Sequence, residues 1–264
     1  MDEKAVNARV ITSGAGEPML QMRIDCGILQ MHLAGRPDGT RPHGFATYLE
    51  YLDRRLETLR EPDDNNEDSG KSRRLWLELD REMTQYYHRR LALLAVASQT
   101  QDSGQPYAAK EAYERAAGDA NHTLRAMDFI VDNCDDEDNV DSHEHFRPFV
   151  LWHRTIAMTQ QRIIETDFDE AVEQIKCGMT EIVNVYKEHG MTKWLKHDPS
   201  IAELKSLEKQ IRRRYNIKVT LKEQLEQALT VENYEKAAKI RDQLKAKGNF
   251  LPPDRPVVRG AARY

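Results

Sequence analysis

Long apolar runs are missing from this chain of 264 residues. Stretches such as residues 91–97 fall far short of the 18 or more apolar residues that a membrane-spanning helix needs. Met1-Asp2-Glu3 does not open a secretory signal, so the expected compartment is the cytoplasm and no membrane partner is expected. Cysteine is scarce: Cys26, Cys134 and Cys177 show neither the CxxC spacing of a structural zinc site nor a disulfide framework, and read as reduced thiols. Phosphate-binding glycines are missing too. Asn65-Asn66-Glu67-Asp68-Ser69-Gly70-Lys71-Ser72 comes nearest to a Walker A loop, but it lacks the first glycine, follows no strand and is acidic.

Metal constellations are equally incomplete. Asp119 and His122 lie three apart, as in half of a bundle-type di-iron site, yet a second Glu-x-x-His is absent and the two read as a polar surface pair. His143-Glu144-His145 lacks the His-Glu-x-x-His spacing that puts two imidazoles on one helix face. Asp135-Asp136-Glu137-Asp138 has calcium-loop composition without the glycine or the closing glutamate. The reading is therefore of a protein with no catalytic residues, no metal and no cofactor, and so not an enzyme.

Charge, by contrast, is abundant. Charged residues make up 31% of the chain and mean hydropathy is −0.75, which suits a soluble chain of amphipathic helices with broad polar faces. Residues 190–264 hold 17 Lys and Arg against 9 Asp and Glu, a net +8, while residues 1–189 carry −13. The two parts can attract each other or serve different partners.

Residues 19–28 alternate, with Leu20, Met22, Ile24 and Cys26 on one side, the pattern of a half-buried strand, so a short strand or hairpin is expected ahead of the helices. Gly35-Arg36-Pro37-Asp38-Gly39 follows as a defined loop. Helical spacing begins near Phe45, so residues 1–60 read as strand, loop and first helix, and the acidic residues 61–71 as a mobile linker. A bundle is predicted over 72–190. Ser72 caps a helix striped by Trp76, Leu79, Met83, Tyr87, Leu91 and Leu94, and Pro106 opens an antiparallel partner carrying Tyr113, Ala116, Ala120, Leu124 and Met127. After an acidic connection, residues 132–144, come a helix with Phe149, Trp152, Ile156 and Ile163 and another capped by Asp167 and closed at Gly190. Four such helices can close a bundle; a tetratricopeptide-like array is the alternative, although its two repeat-like segments lie about 60 residues apart rather than about 34. Asp198-Pro199 opens a basic helix within 191–216, a helical hairpin occupies 217–248, and 249–264 reads as a disordered tail. Trp76, Trp152 and Trp194, with Tyr86, Tyr87 and Tyr113, suit core packing better than base stacking, because two of the tryptophans lie on helical stripes.

The hairpin carries the most information. Leu221, Leu225, Ala228 and Leu229 stripe its first helix, and Tyr234, Ala237, Ala238, Ile240 and Leu244 its second. A unit this small buries too little apolar surface to be very stable alone, so its stripe is expected to meet a partner. The run resembles the UVR (UvrB/UvrC) motif: leucines at 221 and 225, the small Ala228, Glu232, Tyr234 and Glu235 across the turn, then Ala237-Ala238, Arg241-Asp242 and Leu244. In that family the hairpin joins UvrB to UvrC, and it recurs in Clp-family ATPases and in an activator of bacterial protein arginine kinase. The stretch from Gln21 to Gly39 also resembles the start of small bacterial UVR-motif proteins of planctomycete type. The chain resembles neither UvrB nor UvrC as a whole, and the paired zinc cysteines of the kinase activator are absent.

The resemblance implies an adaptor or regulatory protein docking through Leu221, Leu225, Ala228, Leu229, Tyr234, Ala237, Ala238, Ile240, Arg241, Asp242 and Leu244. Its partner would be another protein, such as one with its own UVR motif, or a second copy. The alternative is an accessory factor of nucleotide excision repair that contacts DNA through Arg212, Arg213 and Arg214.

Overall fold

The computed structural model describes residues 6–59 and 68–246, with side chains over 6–55 and 74–246. The expected tail and most of the expected linker lie outside the described residues. Three strands, β1 (Ala8–Thr12), β2 (Pro18–Ile24) and β3 (Gly27–His32), form an antiparallel meander in the order β1-β2-β3. Of the short strand or hairpin expected ahead of the helices, the hairpin is found, and residues 19–28 do not run as one strand. The chain reverses at Asp25, whose φ is +44°, so the alternation ends at Met22 and residues 27 and 28 already belong to β3. Leu20, Met22 and Met31 face the helices, and the outer face carries a ladder in which Arg9 donates to Gln21 and Gln21 to Gln30.

Nine α-helices follow among the described residues: α1 (Tyr48–Leu59), α2 (Asp68–Asp102), α3 (Pro106–Asn133), α4 (Glu137–Glu144), α5 (Arg147–Ile164), α6 (Phe168–Glu188), α7 (Pro199–Arg214), α8 (Leu221–Thr230) and α9 (Tyr234–Ala246). The fold is a mainly helical bundle with a small N-terminal sheet and a C-terminal hairpin. Long helices pack in chain order, α2 on α3, α3 on α5, α5 on α6 and α6 on α7. No described helix is long and apolar enough to cross a membrane.

Local sequence explains the boundaries. Pro106 and Pro199 sit in first turns, where a missing N–H costs nothing, and Asp167 and Asp198 accept N–H groups of Glu170 and Ser200. Gly190, at φ +64°, ends α6 in the left-handed conformation. Two boundaries are corrected. Helix α2 starts at Asp68, so Ser72 lies inside it, and the acidic connection contains α4, whose N-terminus is capped by Asp136 through the Asn139 N–H.

A buried polar network joins the sheet to the bundle. Arg36 of the loop after β3 meets Glu78 at 2.5 Å and Glu82 at 3.8 Å. Glu82, fully buried, accepts the N–H groups of Tyr48 (2.5 Å) and Leu49 (3.1 Å), so a carboxylate of α2 caps α1. Its other neighbour is His122 at 3.0 Å. Arg89 clasps Asp119 with two hydrogen bonds and donates to the carbonyls of His32 and Gly35. Asp119, expected on the surface, is thus buried and His122 half-buried, both facing α2. Arg90 donates to Nδ1 of His153 and to Thr123. Burial, together with the Arg90 charge, brings His153 down to about 3, so its ring is a neutral acceptor.

Candidate docking site on the C-terminal hairpin

After α7 the chain turns at Asn216, φ +54°, and Thr220 begins the hairpin. Thr220 Oγ1 accepts the Glu223 N–H at 3.2 Å while a Glu223 carboxylate oxygen accepts the Thr220 N–H at 2.8 Å, a complete capping box. The return is tight. Glu232 adopts φ +55°, the Asn233 N–H bonds the Ala228 carbonyl at 2.8 Å, and the Asn233 side chain caps α9 by accepting the Lys236 N–H.

The two helices divide the expected stripe. Ala228, Ala237, Ile240 and Leu244 are buried against one another, with Leu221 and Leu225 packed at the margin, so the hairpin has a small core of its own. Leu229 and Tyr234 point outward at 49% and 65% exposure, and Val231, which sequence reading passed over, at 73%. Ala238 is half-buried, and Arg241 and Asp242 are exposed.

Charges fasten the hairpin to the body. Glu223 pairs with Arg212 at 2.6 Å and with Lys176 of α6 at 3.1 Å, Lys222 with Glu170 at 3.0 Å, and Thr220 donates to Glu173. Burial on its own would raise the Glu223 carboxyl, but hydrogen bonds from Arg212, the Thr220 N–H and Lys176 outweigh it and hold the group at about 2. Arg212 is shared with Glu208 at 2.8 Å, while Arg213 and Arg214 are exposed, Arg214 lying 5.5 Å from the Tyr215 ring centre. Glu223 and Lys176 were not among the sequence-predicted site residues. The Thr-x-x-Glu spacing at 220–223 signals the cap, whereas nothing local marks Lys176, 47 residues away.

The hairpin thus closes on itself, with Ala237 in its core, Ala238 half-buried and Arg241 and Asp242 outside. Residues 216–249 match the family model described as UVR: UvrB/uvrC motif. This hairpin is a UVR motif. The match covers a small part of the chain, and no curated protein and no solved structure matches significantly. UVR motifs mediate contacts between proteins and occur in excision-repair proteins, so the UVR hairpin is the part of this chain with a general function attached.

Proposed function

We propose that this protein is a non-catalytic adaptor or regulatory subunit that docks another protein through the outer face of its UVR hairpin, near the turn. One observation carries the reading: the hairpin satisfies its own core yet leaves Leu229, Val231 and Tyr234 exposed within six residues, while its other end is fastened to the body. An anchored base and an apolar tip suit presentation to a partner, for which a protein with its own UVR motif or a second copy of this chain is the natural class. Direct DNA contact is the weaker reading, because two glutamates already engage Arg212.

The test is capture of the native complex by the full chain, compared with L229E/Y234A. Removing an interfacial anchor worth about 2 kcal/mol weakens binding roughly 30-fold, enough to lose a complex of ordinary affinity. Circular dichroism should stay unchanged while the complex disappears; a complex that survives refutes this face as the docking site. Ala237→Glu would be less informative, since Ala237 lies in the hairpin's own core and a charge there disrupts the hairpin itself.

A further inference from the structure

Strand β1 lies at an edge of the sheet, and its neighbours reveal which of its backbone groups are in use. The Arg23 N–H donates to the Asn7 carbonyl at 2.9 Å, and the Ser13 N–H to the Glu17 carbonyl at 2.8 Å. Bonded and unbonded pairs alternate along an antiparallel ladder, so between those two points Arg9 and Ile11 bond β2, opposite Gln21 and Met19. Ala8, Val10 and Thr12 therefore turn their N–H and C=O groups away from β2, and no group among the described residues meets them. The β3 edge differs. There the Pro37 carbonyl accepts the His32 N–H at 2.8 Å, and the His32 carbonyl accepts Arg89. The loop thus closes β3 at that point, whereas β1 keeps a row of unpaired groups.

Beneath the β1 edge lies a cavity of about 610 Å³, walled by Val10, Pro18 and Leu33 on the sheet side and by Leu93, Val96 and Ala112 of α2 and α3. Val10 sits opposite Leu20 on the face turned to the helices, yet it is 49% exposed where Leu20 is fully buried. Arg9 and Arg115 stand at the rim. Arg115 is paired with Glu111 at 2.8 Å, whereas the partner of Arg9 among the described residues is the neutral Gln21.

We propose that β1 is a docking edge for an extended segment of a partner protein, added antiparallel to the sheet, with an apolar side chain opposite Val10 and an acidic one opposite Arg9. The pleat dictates that pattern. The residue opposite Val10 exchanges both backbone hydrogen bonds with it and points to the same face, into the cavity. The next residue points to the other face, beside Arg9, where an opposite charge stabilises the pair. A second copy of this chain fits less well. Pairing β1 with itself about Val10 opposes Arg9 with Ile11 of the copy and brings the two Arg9 side chains to diagonal positions, within reach of each other's like charge.

The probe is the acetylated and amidated peptide Ser-Thr-Val-Leu-Glu-Val-Ser, whose Leu falls opposite Val10 and whose Glu falls opposite Arg9, titrated into the full chain by isothermal calorimetry. A dissociation constant on the order of 100 µM is expected. N-methylation of the peptide's Leu removes the donor to the Val10 carbonyl and should weaken binding at least about tenfold. Arg9→Glu should weaken it roughly tenfold, and exchanging the peptide's Glu for Lys should restore binding to that variant. Val10→Pro should lose it as well, because the Val10 N–H lies outside the β1–β2 ladder and proline is tolerated on an edge strand. Residue-resolved amide exchange should slow with peptide at Ala8, Val10 and Thr12, and far less at Arg9 and Ile11. Absence of binding at about 1 mM, or an N-methylated peptide that binds equally well, overturns the proposal. Protection of β1 that appears on concentrating the chain without peptide overturns it too, since a second copy would then occupy the edge.

Discussion

Replacing Glu223 with alanine should loosen the UVR hairpin without disturbing the bundle. The change removes half of the capping box and the pairs to Arg212 and Lys176. Ion pairs near the surface are each worth about 0.2–1 kcal/mol and a lost cap about 0.5–2 kcal/mol, which together suggest about 2 kcal/mol. The carboxyl's fall from 4.5 to about 2 sets a ceiling of about 3.4 kcal/mol at 1.36 kcal/mol per unit, and water reaching the partly exposed group lowers it to the same range. Amide hydrogen exchange over α8 and α9 should accelerate roughly 30-fold in the variant, with α2, α3, α5 and α6 unchanged. Glu223→Gln retains a capping acceptor, so it should fall between the two. The pH dependence has a definite sign. Because the folded carboxyl lies below its unfolded value, the stabilisation is complete above about pH 4.5 and fades as pH falls toward 2. Protection that changes less than about twofold in the variant would mean that the hairpin's own core, and not its charges, holds it in place.

Glu82→Ala should destabilise the whole bundle, because it orphans the Tyr48 and Leu49 N–H groups and deprives Arg36 and His122 of a partner. Losing one side of a buried ionic network costs about 3–5 kcal/mol, or roughly 6–20 °C in the melting temperature followed by circular dichroism. Gly178→Ala should also destabilise, since an added Cβ would lie 2.8 Å from Thr155 Cβ where α5 crosses α6. The overpacking penalty of about 1–3 kcal/mol exceeds the gain of about 1 kcal/mol in helix propensity, and urea unfolding would measure the difference. His143 contacts two acceptors, the Asp80 carboxylate and the Asn139 carbonyl, each at 2.8 Å, so only the imidazolium satisfies both. The Asp80 hydrogen bond raises its pKa above 6.5 against the opposing effect of burial; the stability advantage over His143→Gln should be full below pH 6.5 and vanish as pH rises through the folded value.

The sequence made helices easier to read than the polar core. Apolar periodicity plus the caps at Pro106, Asp167, Gly190 and Asp198 located α3, α6 and α7, because those helices bury clean apolar stripes. Strand β1, Ala-Arg-Val-Ile-Thr, is too short to declare a period and becomes a strand only by pairing with β2. On α2, Glu82, Tyr86, Arg89 and Leu93 recur at spacings of four, three and four, a helical face in its own right. Counting only apolar residues assigns that face to solvent, and its partners lie on distant elements such as the loop at Arg36 and Asp119 on α3. In the hairpin the family pattern identified the residues but not their division of labour, since the depth of each depends on how closely α8 and α9 cross. Leu229 and Tyr234 belong to the same stripes as Ala228 and Ala237, yet lie beyond the crossing.

The way the sheet is covered also sets an order of events during synthesis. Leu20, Met22 and Met31 rest on residues between Ala92 and Ala117 and on Ala157. At about 5–20 residues per second, the last strand has been made roughly 4–17 s before Ala117 is added. During that interval the meander exists, if at all, as a ribbon with one apolar face and two open edges. The Arg9, Gln21 and Gln30 ladder on its other face keeps at least that side hydrated. A nascent chain stalled before α3 is therefore the form most exposed to chaperone capture or to pairing with a neighbour on the same messenger.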